Sequence, residues 1–458
     1  MPFSPLSSLT NRVPTDKIRF RVLTWLIRLL TGGVFLFSGF TKAIDPWGTL
    51  YKIREYLTAM GFDWGHSLIV VVTFALCSVE FIVGAMLVFG SFRRSAAWIA
   101  MAIMCFMLPL TLWIAVVDPV ADCGCFGDAY IISNWSTFWK NVVLFIFCVW
   151  LCLFNRKAGW LITPALQWIG LVATGGFVLA ISLVGYIYQP LLDFRPYKIG
   201  GPLIEPLSSS AAGEESDDGS DSGEFAFIYE KDGRQHQFCI DDELPDEDEG
   251  WKFVKRIALS GNEADNEVNS SDSPDFRIWN QYGEDVTLHE LAPFGRTLLL
   301  LMPELGDVSI ATTWKLNSLY SWAQKNNVRM LAVVAGSQKE IDEWKDLSMP
   351  EYPIFTAEDT QIKELVRGNP ALVYIEEGKI LWKSSLQAMV TDDFLDETWG
   401  SSPRNFTLDN RRILSNITSV YLIVMGILIS LSFLPRIRFR NRRKESVTTH
   451  DDTALPEE

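Results

Sequence analysis

Two cysteines separated by a single glycine occur in the segment DCGCFGD at residues 122–128. The segment lies between two long apolar runs, and its glycines let the backbone turn tightly enough for the two sulfurs to meet. A pair of thiols in such a turn can alternate between dithiol and disulfide and exchange two electrons with a partner. The spacing therefore predicts redox chemistry at Cys123 and Cys125.

Two other uses of the cysteine pair stay open at the level of sequence. A static disulfide between Cys123 and Cys125 could pin the loop, although the small ring that it closes would be strained and readily reduced. A metal site needs further ligands, and the other accessible candidates are few: Cys239, His66, His236 and His289. Because metal centres use clustered ligands, we predict no metal site. Cys239 itself is either a buried strand residue or a resolving thiol for the pair.

Three polar residues in or beside the apolar runs are candidates to support the cysteines. Glu80 lies inside an apolar run, where burying a carboxylate is costly. It either contacts a proton path or a quinone, or it makes a helix–helix hydrogen bond in its neutral form. Lys42 and Asp45 close another run. Their simplest interpretation is an interfacial anchor and a helix cap before Pro46.

Six apolar runs are long enough to cross a bilayer, which requires about 20 helical residues. We predict spans at 22–41, 67–90, 96–117, 137–154, 166–187 and 413–434. Lys and Arg outside these runs concentrate in the two tails and in the loops after the second and fourth spans, so both termini are predicted to be cytoplasmic. The cysteine loop and residues 188–411 then face the periplasm, where disulfides persist. We therefore predict a multi-pass inner-membrane protein.

The net charge of the 458-residue chain is −15, and the acidic excess is concentrated between residues 187 and 411. Such an acidic part repels phosphate, which excludes nucleic acid as a partner. Seven cysteines are too few for a disulfide scaffold at this length. The composition predicts an acidic soluble part carried by a membrane part with basic flanks.

The chain divides by composition into eight segments. The predicted order is a cytoplasmic tail at 1–21, a four-helix membrane domain at 22–155, a fifth span at 166–187, an acidic linker at 188–224, a β-hairpin segment at 225–270, an α/β domain at 271–405, a sixth span at 413–434, and a basic then acidic cytoplasmic tail at 435–458. The linker prediction depends on a Ser/Gly/Asp/Glu-rich stretch that cannot bury a core. The hairpin prediction depends on apolar and polar residues that alternate on both sides of Asp232-Gly233, a typical turn sequence.

From residue 276 onward, short apolar runs alternate with segments of helical spacing, which indicates a βα pattern. Expected strands are 276–279, 297–302, 328–334, 371–375 and 379–383, and expected helices are 312–324 and 340–347. The pattern, with the runs LLLLMPE and GNPALVYIEEGKILWK, resembles the thioredoxin fold in its thiol-peroxidase and membrane-anchored reductase branch. The resemblance implies that Pro370 is cis and belongs to a partner-docking region.

The same resemblance implies a Cys-x-x-Cys motif after the first long strand, where this chain has PELGDVS at residues 303–309. Without a thiolate a domain cannot perform thiol–disulfide exchange. We therefore predict a thioredoxin-like domain that serves docking or support rather than catalysis.

The sequences FSGFTKAIDPWGTLYKIREYL at 37–57 and CGCFGD at 123–128 resemble the DoxX-like and methylamine-utilisation (MauE-type) family of small four-helix membrane proteins. The resemblance covers residues 22–155. Lys140-Asn141, at the start of the span that follows the two cysteines, adds to it, so Asn141 is a further candidate to support the cysteine pair. The combination with a cysteine-free thioredoxin-like domain resembles a Bacteroidota-type arrangement. The methylamine-utilisation resemblance implies a role in the maturation of periplasmic proteins that contain disulfides.

The predicted fold is a membrane α-helical bundle, a four-helix DoxX-like core plus two further spans, with an α/β thioredoxin-like extracytoplasmic domain. In the first hypothesis, Cys123 and Cys125 exchange disulfides with a periplasmic client or redox partner, and electrons leave through the bilayer. No cofactor is required by the sequence, and quinone stays open as an acceptor. The alternative is a non-catalytic membrane scaffold whose thioredoxin-like domain recruits an envelope client. A channel or transporter is disfavoured, because one intramembrane carboxylate does not outline a substrate path.

Overall fold

The computed structural model describes residues 18–62, 64–120, 122–155, 159–203, 225–231, 234–239, 252–258, 276–291, 295–389 and 409–451. Side chains are described in these ranges except for residues 225–258 and those beyond 433. The chain divides into a larger unit, residues 1–203 with 276–458, and a smaller unit, residues 204–275.

Six helices in the described part of the larger unit are long and apolar enough to cross a membrane, as predicted. The helices of the N-terminal half are Ile18–Ile44 (α1), Pro46–Ala59 (α2), His66–Phe89 (α3), Arg93–Val117 (α4), Asn134–Phe154 (α5) and Gln167–Ile187 (α6). All of these except the short α2 belong to the six, and the C-terminal helix Asn410–Asp451 is the sixth. This last helix extends beyond the predicted span, because the Arg- and Lys-rich segment that follows has good helix propensity.

Helices α1 and α3 approach each other closely because glycines face the neighbouring backbone. A β-carbon on Gly39 would lie 2.4 Å from the backbone nitrogen of Phe81, and one on Gly84 would lie 2.4 Å from that of Leu36. Small residues permit such crossings between membrane helices. The close approach brings the polar residues of the two helices within hydrogen-bonding distance.

The smaller unit contains a three-stranded antiparallel sheet. Its strands are Phe225–Lys231 (β1), Arg234–Cys239 (β2) and Lys252–Ala258 (β3), in the order β2-β1-β3. β1 and β2 pair as a hairpin. Its turn, the linker at 204–224 and the side chain of Cys239 lie outside the described residues.

A five-stranded mixed sheet forms the core of the sheet domain, which we define as residues 276–389. The strands are Arg296–Met302 (β4), Arg329–Val334 (β5), Ile354–Thr356 (β6), Ala371–Glu376 (β7) and Lys379–Ser385 (β8), in the order β6-β5-β4-β7-β8. β4, β5 and β6 run parallel, whereas β7 is antiparallel to both β4 and β8. The apolar runs in β4 and β5 are buried, as strands covered on both faces should be.

Four helices accompany this sheet: Thr287–Glu290, Thr313–Lys325, Gln338–Ser348 and Asp359–Leu365. The second and third agree with the predicted helices to within a few residues. The Asn369–Pro370 peptide bond is cis, as predicted. The strand expected at 276–279 is wrong, because only Trp279 forms isolated bridges, to Thr356 and Asp285.

Residues 188–203 pack against the sheet domain, so the predicted linker is wrong in its first part. The backbone N–H of Gly200 donates to the carbonyl of Ile380 at 2.7 Å, and that of Leu203 donates to the carbonyl of Gly378 at 3.0 Å. Tyr197 and Leu203 are buried. This segment has apolar side chains to bury, unlike the Ser/Gly/Asp/Glu-rich stretch after it.

Candidate functional site

Residues 122–128, which we call the cysteine turn, lie between α4 and α5. Gly124 and Gly127 adopt left-handed φ angles of 59° and 55°, which glycine does at little cost. The N–H of Gly127 donates to the carbonyl of Gly124 at 3.1 Å and closes the turn. Cys123 and Cys125 are half-buried free thiols whose Sγ atoms lie 2.7 Å apart. A disulfide between them therefore needs only a small movement of the sulfurs.

The two thiols differ in acidity. The hydrogen bond between the sulfurs lowers the pKa of Cys123 to about 6, against the cost of burying its charge. The same contact, together with burial, raises the pKa of Cys125 well above its usual value. Because the thiolate is the nucleophile, Cys123 is the more reactive member of the pair near neutral pH.

Helix α2 holds the cysteine turn from one side. The hydroxyl of Tyr56 donates to the carbonyl of Cys123 at 2.5 Å. The ammonium group of Lys52 lies 2.6 Å from Asp122 Oδ1, and Asp122 Oδ2 accepts the N–H of Gly124 at 3.1 Å. Sequence reasoning missed Tyr56 and Lys52, although both lie in the quoted motif at 37–57.

A buried ion pair lies on the membrane side of the turn. Lys42 Nζ lies 2.8 Å and 2.7 Å from the two carboxylate oxygens of Glu80, and both side chains are 5% exposed. Ser38 Oγ lies 2.8 Å from Glu80 Oε2 and 2.7 Å from the carbonyl oxygen of Cys125. The interfacial-anchor interpretation of Lys42 is wrong, because its ammonium group is buried against Glu80. The contact joins α1 to α3, so a helix–helix role of Glu80 and a proton role both stay open. Ser38, which sequence reasoning missed, connects this pair to the turn.

A cavity of about 40 Å³ opens between α1, α3, α4 and α5. Its polar lining comes from six residues: Ser38, Lys42, Glu80, Cys125, Lys140 and Asn141. Its remaining lining is aromatic and aliphatic. A water needs about 10–15 Å³ and benzene occupied an engineered cavity of about 150 Å³, so this cavity is suited to a few waters and is too small for a quinone ring.

Asn141 and Lys140 enter the cavity from α5. The side-chain amide of Asn141 donates to Thr111 Oγ1 at 3.3 Å. The ammonium group of Lys140 lies 4.2 Å from the centre of the Phe126 ring, a cation–π contact within the usual range. Cys125, Lys42, Glu80 and Asn141 are thus four predicted site residues that line one cavity.

Asp45 connects the membrane domain to the sheet domain. Its carboxylate caps α2 by accepting the N–H of Gly48 at 3.0 Å, as the cap interpretation predicts. The same carboxylate accepts hydrogen bonds from Arg367 Nε at 2.8 and 3.0 Å. Arg367 also pairs with Asp128 in the cysteine turn. One buried guanidinium of the sheet domain therefore bonds two carboxylates of the membrane domain.

A second ionic contact occupies the position where the thioredoxin resemblance implies thiols. Arg54 of α2 pairs with Glu304 and lies 2.9 Å from Asp307 Oδ2. His66 Nδ1 lies 3.5 Å from the same Asp307 oxygen. Burial raises the pKa of Glu304 to about 7. His66, Glu304 and Asp307 converge closely enough to hold a metal ion, but both carboxylates are already in contact with Arg54. The prediction of no metal site stays a prediction.

Pro370, the predicted docking residue, is buried in the structure. Its neighbour Asn369 donates a side-chain hydrogen bond to the carbonyl of Glu304 at 2.6 Å. Arg367, three residues before Pro370, faces the cysteine turn. The assignment of Pro370 to a client-docking region stays a prediction.

The membrane domain is similar to the family described as methylamine utilisation protein MauE, which matches residues 21–154. Residues 223–258 match a domain of unknown function (DUF8463). No curated protein and no solved structure gives a significant match. The MauE match covers under a third of the chain. It contains the cysteine turn and the cavity, whereas Arg367 and Glu304 lie outside it.

Proposed function

We propose that this membrane protein exchanges disulfides with an extracytoplasmic protein through Cys123 and Cys125. The observation that carries the proposal is a pair of free thiols with Sγ atoms 2.7 Å apart in a glycine turn. Cys123, whose pKa is lowered to about 6, forms the mixed disulfide with the partner, and Cys125 resolves it. The exchange moves two electrons between a dithiol and a disulfide, and its direction depends on their reduction potentials.

We place the cysteine turn and the sheet domain on the periplasmic side of an inner membrane. The distribution of Lys and Arg among tails and loops supports this orientation. The contact between Arg367 and Asp128 supports a common side, because it brings the sheet domain to the cysteine-turn end of the bundle. The periplasm is also a compartment in which a cycling disulfide persists.

We assign the sheet domain a thioredoxin-like fold and a docking role without thiol chemistry. The adjacent strands β5-β4-β7-β8, with a parallel first pair and an antiparallel last pair, support the fold. The carboxylates of Glu304 and Asp307 replace the thiols that the resemblance implies at residues 303–309. This domain therefore positions a partner relative to Cys123 rather than reacting with it.

The scaffold alternative is favoured by one specific observation. Arg367 and Arg54 hold the sheet domain against the membrane domain through four carboxylates: Asp45, Asp128, Glu304 and Asp307. Such contacts would also serve a protein that only presents a docking surface, with the cysteines as a loop staple.

A trapping experiment separates the two functions. In cells that express the full chain, Cys125→Ser should accumulate a high-mass adduct that reductant releases, because the resolving thiol is absent. Cys123→Ser should trap much less, and the double variant should trap nothing. Cys105→Ser is the control for loss of a cysteine elsewhere, since Cys105 is a free thiol within the candidate membrane helix α4. If neither single variant traps an adduct and cells with the double variant fold disulfide-containing envelope proteins normally, the exchange function is wrong and the scaffold function takes its place.

A further inference from the structure

The cavity beneath Cys125 carries more positive than negative charge. Among its lining residues, Lys42 and Lys140 are cationic and Glu80 is anionic. Lys42 is neutralised, because its ammonium group lies within 2.8 Å of both oxygens of Glu80. Within the described part of the chain, Lys140 forms no ion pair and rests on the ring of Phe126. A half-buried ammonium group without a carboxylate favours an anion nearby.

Cys125 lines the same cavity, whereas Cys123 does not. Phe126, which carries Lys140 on its ring, directly follows Cys125. The only group of the cysteine turn that lines this cavity and can become an anion is therefore the Cys125 sulfur. The titratable groups around this sulfur are Cys123 in the turn, Lys42 in α1, Tyr56 in α2, Glu80 in α3 and Lys140 in α5, while α4 contributes apolar side chains.

We propose that Lys140 stabilises the Cys125 thiolate when that sulfur is displaced from the Cys123–Cys125 disulfide. This inference rests on the proposed exchange function. A partner thiolate attacks Cys123 Sγ, a new sulfur–sulfur bond forms to the partner, and the Cys123–Cys125 bond breaks with both of its electrons on Cys125. The Cys125 thiolate then takes up the proton that the second partner thiol releases as it ionises. A second partner thiol, as its thiolate, attacks the partner sulfur and releases Cys123 as a thiolate, so that the partner is oxidised and the pair is reduced.

The Cys125 sulfur becomes negatively charged when it is displaced, and the Lys140 ammonium group can stabilise that charge. A leaving thiolate departs faster when its conjugate acid is stronger. The contact with Cys123, together with burial, makes Cys125 a weak acid, and burial still opposes its charge once Cys123 is bonded to the partner. Lys140 also lowers the pKa of Cys123, but the hydrogen bond with Cys125 is the largest cause there, so Cys123 depends less on this charge. A charge at Lys140 thus accelerates the first displacement and has less influence on the second.

The test uses the oxidised full-length protein, purified in detergent, with dithiothreitol as the partner dithiol. Lys140→Met removes the charge and keeps the chain length, and Lys140→Arg restores the charge. We expect the first displacement to be about threefold slower in Lys140→Met, because roughly half of a one-unit change in a thiol pKa appears in the rate of exchange, and close to wild type in Lys140→Arg. Lys315→Met, a change on the sheet domain, is the control and should leave the rate unchanged.

A second measurement keeps the result independent of overall folding. The difference in ultraviolet absorbance between Cys123→Ser and the double variant Cys123→Ser/Cys125→Ser reports the titration of the Cys125 thiolate. Lys140→Met should move the midpoint of this difference upward by about one pH unit. An unchanged midpoint and an unchanged displacement rate would overturn the role of Lys140 alone. If the wild-type disulfide does not react with the dithiol, the exchange function itself fails. The two failures are therefore distinguishable.

Discussion

Arg367→Met should loosen the sheet domain from the cysteine turn. The Arg367 side chain is 5% exposed and its guanidinium lies 2.8 Å from Asp45, which is 13% exposed. Removing one partner of a buried ion pair costs about 3–5 kcal/mol, because the remaining charge is left without compensation. We expect the lower end, about 3 kcal/mol, because the other carboxylate, Asp128, is 40% exposed and water can solvate it. That free energy corresponds to a roughly 100-fold larger open fraction of the interface.

Amide hydrogen exchange in the full-length protein, read by mass spectrometry, measures this opening. Exchange should accelerate roughly 100-fold in the cysteine turn and around residues 366–370, while the buried strand β5 keeps its protection. The double variant Asp45→Asn/Arg367→Met leaves neither member of that pair charged, so it should recover much of the loss. The reasoning is refuted if both segments of the Arg367→Met protein exchange within about threefold of the wild-type rate. A threefold change corresponds to less than 1 kcal/mol by the same conversion, so the ion pair would not hold the interface.

Three further predictions concern single residues. Cys125→Ala removes the hydrogen bond that lowers the pKa of Cys123, so the midpoint of Cys123 alkylation against pH should rise from about 6 toward the ordinary thiol value of 9.0; an unchanged midpoint would contradict the assigned cause. Burial raises the pKa of Glu304 from 4.5 to about 7, so the folded protein binds this proton more tightly than the unfolded chain does. The contribution of this proton to the free energy of unfolding is therefore complete below pH 4.5 and is lost as the pH rises through 7. Glu304→Gln should flatten that part of the pH profile of thermal unfolding, and a profile identical to wild type would refute the assignment. Gly124→Ala and Gly127→Ala should each destabilise the turn by about 1–2 kcal/mol, because both glycines have a left-handed φ. Gly124→Ala should cost more, because its β-carbon would lie 3.0 Å from a lysine side-chain carbon. If hydrogen exchange in the turn accelerates equally in both variants, the lysine contact does not contribute.

The sequence predicts those features that have a local signal. Six apolar runs become six candidate membrane helices because length and hydropathy alone decide that property. The runs in β4 and β5 become buried strands for a similar reason. The short strand β6, at Ile354–Thr356, and the helix Asp359–Leu365 escape prediction, because three and seven residues carry too little periodicity.

The site was only partly accessible to sequence reasoning. Cys123 and Cys125 are found by residue type and spacing, and Glu80 is found because a carboxylate is rare in an apolar run. The contacts of Tyr56 with the cysteine turn and of Arg367 with Asp45 join segments 67 and 322 residues apart. The sequence periodicity around a polar residue on a loop or a short helix does not indicate which distant residue it contacts. Such pairs can therefore be identified only in the folded structure.

Helix α2 gives these long-range contacts a common consequence. Its first turn is capped by Asp45, which Arg367 of the sheet domain also bonds. Near its other end, Arg54 pairs with Glu304, and Tyr56 bonds the carbonyl of Cys123. A shift of the sheet domain therefore acts on the cysteine turn at two places, through Asp128 and through α2. Both proposed functions have a use for this link: a scaffold uses it to fix its docking surface, and an exchange protein uses it to hold the docked partner near Cys123. Only the trapping of a mixed disulfide distinguishes them, because the contacts themselves are the same in both.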